Sequence, residues 1–82
     1  MKLIYFAKVR EILGKSEEII EVPSEIKTIQ NLIDFLINHD PSYKAALEDK
    51  DFFVACDEEL VDMDFIIKRT SEIAIFPPVT GG

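Results

Sequence analysis

A single cysteine occurs in the sequence, which excludes an internal disulfide and fits a reducing compartment. Long apolar runs are missing too: the longest span about five residues, against the roughly 20 needed to cross a bilayer. No basic-then-apolar leader opens the chain, because Met1-Lys2 runs straight into strand-like alternation. The expected location is therefore the cytoplasm, with no membrane contact. Basic residues are scarce, 9 Lys and Arg against 16 Asp and Glu, giving a net charge of −7. That balance argues against nucleic acid, whose affinity comes from neutralising phosphates. It leaves two readings open: steering of basic protein partners, or a solvated surface that serves solubility. The one histidine, His39, has no second histidine or cysteine pair near it, so no metal site is expected. Glycine-rich phosphate cradles are absent, and one His with one Cys cannot furnish a hydrolytic triad. Any covalent chemistry must draw its catalytic groups from partners.

What remains is a small soluble domain. Its 82 residues are 48% hydrophobic and 30% charged, enough for one core that buries about 60% of the unfolded surface. Lys2 to Val9 alternates, with Leu3, Tyr5, Ala7 and Val9 as the better core face and Lys2, Ile4, Phe6 and Lys8 opposite, which predicts a strand. Arg10 to Leu13 fits one helical turn, stopped by Gly14. Ser16 to Val22 predicts a second strand, with Glu18, Ile20 and Val22 on one face and Ile19 and Glu21 on the other. It lies close enough in sequence to pair antiparallel with the first.

Thr28 has the chemistry of an N-cap. The helix it starts, Ile29 to about Asn38, lines up Ile29, Leu32, Ile33 and Leu36 at i, i+3, i+4 and i+7. Asp40-Pro41-Ser42 is a turn that leads into a shorter helix over Tyr43 to Glu48. Phe52 to Cys56 is a short, largely apolar strand, Asp57-Glu58-Glu59 a turn, and Leu60-Val61 a short return strand. Asp62 to Ile67 fits neither pattern. Lys68-Arg69-Thr70-Ser71 connects to the last strand, Ile73 to Phe76. No repeat, low-complexity tract or linker interrupts the chain.

This order describes an α+β fold: a mixed sheet of four to five strands with one main helix across one face. The other face meets water, yet Ile4, Phe6 and Phe76 are expected to point that way, with Leu60 beside them. An apolar patch of this kind marks a partner site unless a loop covers it. Beyond Phe76 the chain reads Pro77-Pro78-Val79-Thr80-Gly81-Gly82. Proline cannot donate to a sheet ladder and holds its neighbour extended. Six near-extended residues reach roughly 20 Å at about 3.3 Å each. Two of the three glycines stand at the end of this stalk. Such an end can fray, as termini do, or it can thread a channel too narrow for any side chain and present its terminal carboxylate to chemistry beyond. The expected division is therefore a domain over residues 1–76 and an extended tail over residues 77–82.

Phe6-Ala7-Lys8-Val9-Arg10-Glu11 and Phe76-Pro77-Pro78-Val79-Thr80-Gly81-Gly82 together resemble the small subunit of molybdopterin synthase, the MoaD family, with Ala46-Leu47-Glu48-Asp49 in a matching place between them. The resemblance covers the whole chain, and its specificity rests mostly on the tail. It implies a ubiquitin-like β-grasp fold acting as a sulfur carrier, with no cofactor of its own. It implies that a ubiquitin-activating-type enzyme uses ATP to adenylate Gly82, and that a sulfur donor protein converts the adenylate to a thiocarboxylate. It further implies that the tail enters the large catalytic subunit, in a two-plus-two heterotetramer, and delivers sulfur for the dithiolene of the cyclic pyranopterin monophosphate precursor. Gly81 would be the slim neck behind Gly82. Phe6, Leu60 and Phe76 match the family's hydrophobic partner face, and Pro77, Pro78, Val79 and Thr80 its inserted tail. By this reading the chain is no enzyme alone.

Two departures stand out. The family's glycine-containing turn before the last strand is replaced by Lys68-Arg69-Thr70-Ser71-Glu72, and Asp57 stands where asparagine is common. Cys56 ends an apolar strand and reads as a small buried hydrophobe, not a sulfur relay. Three rivals stay open from sequence: a thiazole-synthesis sulfur carrier, a protein modifier conjugated through Gly82, and an acidic adaptor with an inert tail.

Overall fold

The computed structural model describes residues 1–48, 51–68 and 72–78. The elements follow as β1 (Lys2–Tyr5), α1 (Ala7–Leu13), β2 (Glu17–Ile19), α2 (Ile29–His39), α3 (Pro41–Leu47), β3 (Phe53–Cys56), β4 (Glu59–Val61) and β5 (Glu72–Phe76). The strands make one five-stranded sheet in the order β2-β1-β5-β3-β4. β1 and β5 run parallel at its centre, and every other pair is antiparallel. This is the α+β, ubiquitin-like β-grasp arrangement.

The core lies between sheet and helices. Leu3 and Tyr5 of β1, Val54 and Cys56 of β3, and Ile73 and Ile75 of β5 alternate inward and are buried. Against them α2 sets Ile29, Leu32, Ile33 and Leu36, the stripe its spacing predicts. Thr28 caps that helix: its Oγ1 accepts from the Asn31 N–H at 3.1 Å, and Asn31 Oδ1 accepts from the Thr28 N–H at 3.3 Å. The irregular loop over residues 62–67 takes up further donors of the same helix end. The Ile29 N–H donates to the Phe65 carbonyl at 3.1 Å and the Gln30 N–H to that of Met63 at 2.8 Å.

The structure corrects three readings. The first strand stops at Tyr5, and residues 7–9, expected to continue it, open α1. Ala7 adopts a left-handed φ of 48°, which turns the chain off the sheet. Val9 stays buried because helical spacing sets it on one face with Ile12 and Leu13, both packed against the core, whereas Ala7 is exposed. The second strand is three residues long, although Ile20 and Val22 still pack on the core side and Ile19 still faces out. The shorter helix begins at Pro41, not Tyr43, because the Asp40 side chain accepts from the Ser42 N–H at 2.8 Å and proline suits the first helical position.

Candidate functional site

The site is built where β5 leaves the sheet. Alternation buries Ile73 and Ile75 and turns Ala74 and Phe76 to the face that no helix covers. The backbone N–H of Phe6, one residue beyond β1, donates to the Ile75 carbonyl at 3.1 Å, so its ring comes up beside that of Phe76. The two rings meet edge to face, centroids 6.4 Å apart at 84°. On the other side Phe53 of β3 pairs with Phe76 across the antiparallel ladder, centroids 6.0 Å apart at 50°. Phe76 therefore stands half-buried between two rings that remain open to solvent, Phe6 at 47% and Phe53 at 46% exposure.

A second row runs parallel to this aromatic one. Pairing sets Leu60 of β4 opposite Ala55, Ala55 opposite Ala74, and Ala74 opposite Ile4. The two alanines leave a low strip between Leu60, 68% exposed, and Ile4. The result is a stepped apolar face at the foot of the tail, of the kind that marks a docking surface. Pro77 and Pro78, half-buried, continue directly from it.

Of the residues singled out from sequence, the structure brings Phe6 and Phe76 into contact and sets Leu60 on the same face through Phe53, whose ring shares a groove with it. Val79, Thr80, Gly81 and Gly82 lie outside the described residues, as do Asp49 and the connector residues 69–71. Phe53 was not singled out. The signal for it was the alternation Phe53, Val54, Ala55, Cys56, which puts Phe53 outward once Cys56 is taken as buried.

The side chains with shifted ionisation gather elsewhere, on the helix side of the sheet. Glu18 Oε2 accepts from the Tyr5 hydroxyl at 2.6 Å and the Tyr43 hydroxyl at 2.5 Å, while Lys15 Nζ donates to Glu18 Oε1 and to Tyr43 Oη, each at 3.0 Å. Burial pushes the Glu18 carboxyl up, but hydrogen bonds from Tyr43, Tyr5 and Lys15 together outweigh it and hold it below its ordinary range. Burial, then the Glu18 carboxylate, pushes both tyrosine hydroxyls up. Lys15 is raised by its bonds to Tyr43 and Glu18. The sequence held a trace of this cluster, since Glu18 shares an inward face with Ile20 and Val22 and an acid there needs partners. Among the described residues no group of three His, Cys, Asp or Glu side chains is placed to hold a metal, and no helix is long and apolar enough to cross a membrane. Cys56 is buried.

The sequence model of the ThiS family matches residues 3–82. The chain belongs to the ThiS family. Its curated relatives include the molybdopterin synthase sulfur carrier subunit of Escherichia coli (strain K12), 34% identical over 82 residues that cover 100% of this chain and 99% of the relative. Among solved structures, a Pyrococcus furiosus candidate for subunit 1 of a molybdopterin converting factor superposes with a TM-score of 0.76 at 31% identity, covering 95% of each chain. A Helicobacter pylori complex of subunits 1 and 2 of molybdopterin-converting factor matches with a TM-score of 0.67 at 20% identity, over 99% of this ThiS-family chain and 96% of the other. That last likeness speaks for the fold.

Proposed function

We propose that this protein is the sulfur carrier subunit of a molybdopterin synthase. The observation that carries the reading is the end-to-end match to the E. coli sulfur carrier, 100% of this chain against 99% of that one, in which the diglycine is included. The apolar face at the foot of the tail supports it, because a carrier needs a body that docks while its end reaches elsewhere.

On this reading the Gly82 carboxylate is the reactive group. A carboxylate is a poor electrophile until one oxygen becomes a good leaving group. Attack of that oxygen on the α-phosphate of ATP, in an activating enzyme of the ubiquitin-activating type, releases pyrophosphate and leaves the acyl-adenylate. The terminal sulfur of a donor protein's persulfide then displaces AMP, and a second thiol cleaves the resulting acyl disulfide by exchange, leaving a thiocarboxylate, a soft nucleophile ionised at neutral pH. Gly81 and Gly82 carry no side chains, so the loaded end can enter a narrow channel of the large catalytic subunit, in a two-plus-two heterotetramer. There its sulfur bonds to a carbon of the cyclic pyranopterin monophosphate precursor, and water cleaves the resulting thioester, leaving the sulfur on the precursor and a carboxylate on Gly82. Pro77 and Pro78 keep the stalk stiff, and Val79 and Thr80 lie along the channel. Phe6, Phe76 and Leu60 dock the body. The chain serves as co-substrate, and the ATP belongs to its partner.

The deciding test is intact-mass analysis after incubation with an activating enzyme, ATP and a sulfur source. The expected product has one oxygen replaced by sulfur and supports conversion of the precursor when the large subunit is added. A chain recovered unmodified under conditions that load a known carrier rejects the proposal. Covalent adducts on lysines of other proteins, with no thiocarboxylate, would assign it to protein modification instead.

A further inference from the structure

Ala7 stands directly after Phe6, where β1 leaves the sheet and α1 begins, and its φ of 48° is left-handed. In that region Cβ crowds the following carbonyl oxygen, and glycine is the usual occupant. The exit from the sheet has its cause in the neighbouring strand. β1 and β5 run parallel with Tyr5 level with Ile75, so Phe6 comes level with Phe76. In such a ladder Phe6 donates to the carbonyl before Phe76 and accepts from the N–H after it. The first bond is present, from the Phe6 N–H to the Ile75 carbonyl at 3.1 Å. The second is impossible, because the residue after Phe76 is Pro77, which has no N–H. The Phe6 carbonyl accepts instead from the Arg10 N–H at 3.3 Å, which opens α1.

Ala7 is thus the joint between an extended residue bonded to β5 and a helix that buried Val9, with Ile12 and Leu13, pins to the core. Both sides force it left-handed. Glycine would adopt this φ without strain, and Ala7 is exposed, so packing does not call for a methyl group there. Alanine differs from glycine in the width of the conformational well. The left-handed region is small for a residue with Cβ and broad for glycine. Once the fold forces Ala7 into it, the peptide after Phe6 has little room to turn. The exposed Phe6 ring is thereby held at its edge-to-face contact with Phe76 before any partner arrives.

We propose that Ala7 is a positioning residue for docking: its narrow left-handed well presets the Phe6 ring beside Phe76 for the large catalytic subunit, at some expense in fold stability. The inference rests on the reading of the Phe6–Phe76 face as that subunit's docking surface. Strain held at a functional site by the packing around it is a known form of preorganisation, and a ring already in place loses less freedom on binding.

The test measures melting temperature and equilibrium affinity of the full chain for the purified large subunit of the same organism. It compares wild type, Ala7→Gly, Ala7→Asn and Phe6→Ala. Glycine removes the strain and widens the well, whereas asparagine tolerates a left-handed φ and keeps a Cβ. Expected for Ala7→Gly is a melting temperature at or above wild type together with an affinity lowered about threefold, a split that destabilisation alone does not produce. Ala7→Asn is expected to bind like wild type. An Ala7→Gly chain that binds like wild type, or that melts below it, overturns the proposal. Equal losses of affinity in Ala7→Gly and Ala7→Asn also overturn it, since they would place the methyl group itself against the partner. Unchanged binding by Phe6→Ala rejects the docking face, and the role of Ala7 falls with the ring it positions.

Discussion

Phe53 lies directly across the β3–β5 ladder from Phe76, and their ring centroids are 6.0 Å apart. The pair makes Phe76 the middle of three rings, propped by Phe53 on one side and Phe6 on the other. A side chain held on both flanks loses little freedom on docking, which is what an anchor requires.

Truncating the middle ring should therefore cost most. Phe76→Ala is expected to weaken binding to the large subunit by about 2 kcal/mol or more, roughly 30-fold, and Phe53→Ala by about 1 kcal/mol, because Phe53 supports the anchor and also offers contact of its own. Calorimetric titration of each variant, with circular dichroism to check the fold, measures this. An order reversed, with Phe53→Ala the costlier, would move the centre of the interface toward the groove.

How much of this was legible beforehand differs from element to element. α2 was readable to within a residue because cap and stripe are local: Thr28 and four apolar positions within eight residues state both its start and its buried face. The β1–α1 junction was not, because four residues of alternation cannot be told from helical spacing. The left-handed turn at Ala7 is imposed by where the chain must go next. Phe53 was hidden inside a run of five apolar residues, where no polar residue marks the outward face and only the burial of Cys56 fixes it. Glu18 was visible as an acid on an apolar face, but its partners Tyr5 and Tyr43 lie 13 and 25 residues away, beyond any local pattern. The foot of the tail was clearest, since two prolines after an apolar strand leave the chain few options.

The β3–β4 hairpin carries strain that one substitution can relieve. Cys56 pairs with Glu59, so its loop is the two residues Asp57 and Glu58, with φ of 50° and 73°. Both lie in the left-handed region, where this kind of turn favours glycine at the second position. Asp57 is committed, since its Oδ1 accepts from the Glu72 N–H at 3.0 Å and its own N–H donates to the Glu72 carbonyl at 2.9 Å. Glu58 is exposed and free to change. Glu58→Gly is expected to raise stability by about 0.5–1 kcal/mol in urea denaturation, whereas Asp57→Gly, which also removes the bond to β5, should lower it.

The Glu18 cluster contributes to both ends of the stability–pH curve. The Glu18 carboxyl is depressed in the folded state, so it contributes stability above its unfolded value of about 4.3 that is lost as pH falls through the lower folded value. Tyr5, Tyr43 and Lys15 are raised, so their contributions are full below about pH 10 and are lost as pH rises through the folded values. Melting temperature measured against pH should fall at both edges. In Glu18→Gln the acid-side fall attributable to this group should vanish, and the gap to wild type should close toward pH 3. A constant gap from pH 3 to pH 8 would mean that the carboxylate's charge contributes nothing.

The proposed reactive end, Gly82, can be separated from the proposed docking body by changing length alone. Deleting Gly82 moves the terminal carboxylate back by about 3.3 Å, and adding one alanine after it moves the carboxylate forward by as much while placing a methyl group in the channel. Both changes fall beyond Pro78, the last described residue, and alter none of the described core residues, so melting temperature and affinity of the body for the large subunit should stay near wild type. Sulfur transfer should disappear in both, because a reacting atom displaced by an ångström or more leaves the productive geometry. Thiocarboxylate formation on the intact chain, its absence from both variants, and retained binding by all three together locate the chemistry at Gly82. Loading of the alanine-extended chain with full transfer activity would sink that assignment, since it would show that neither the slim terminus nor its exact reach matters.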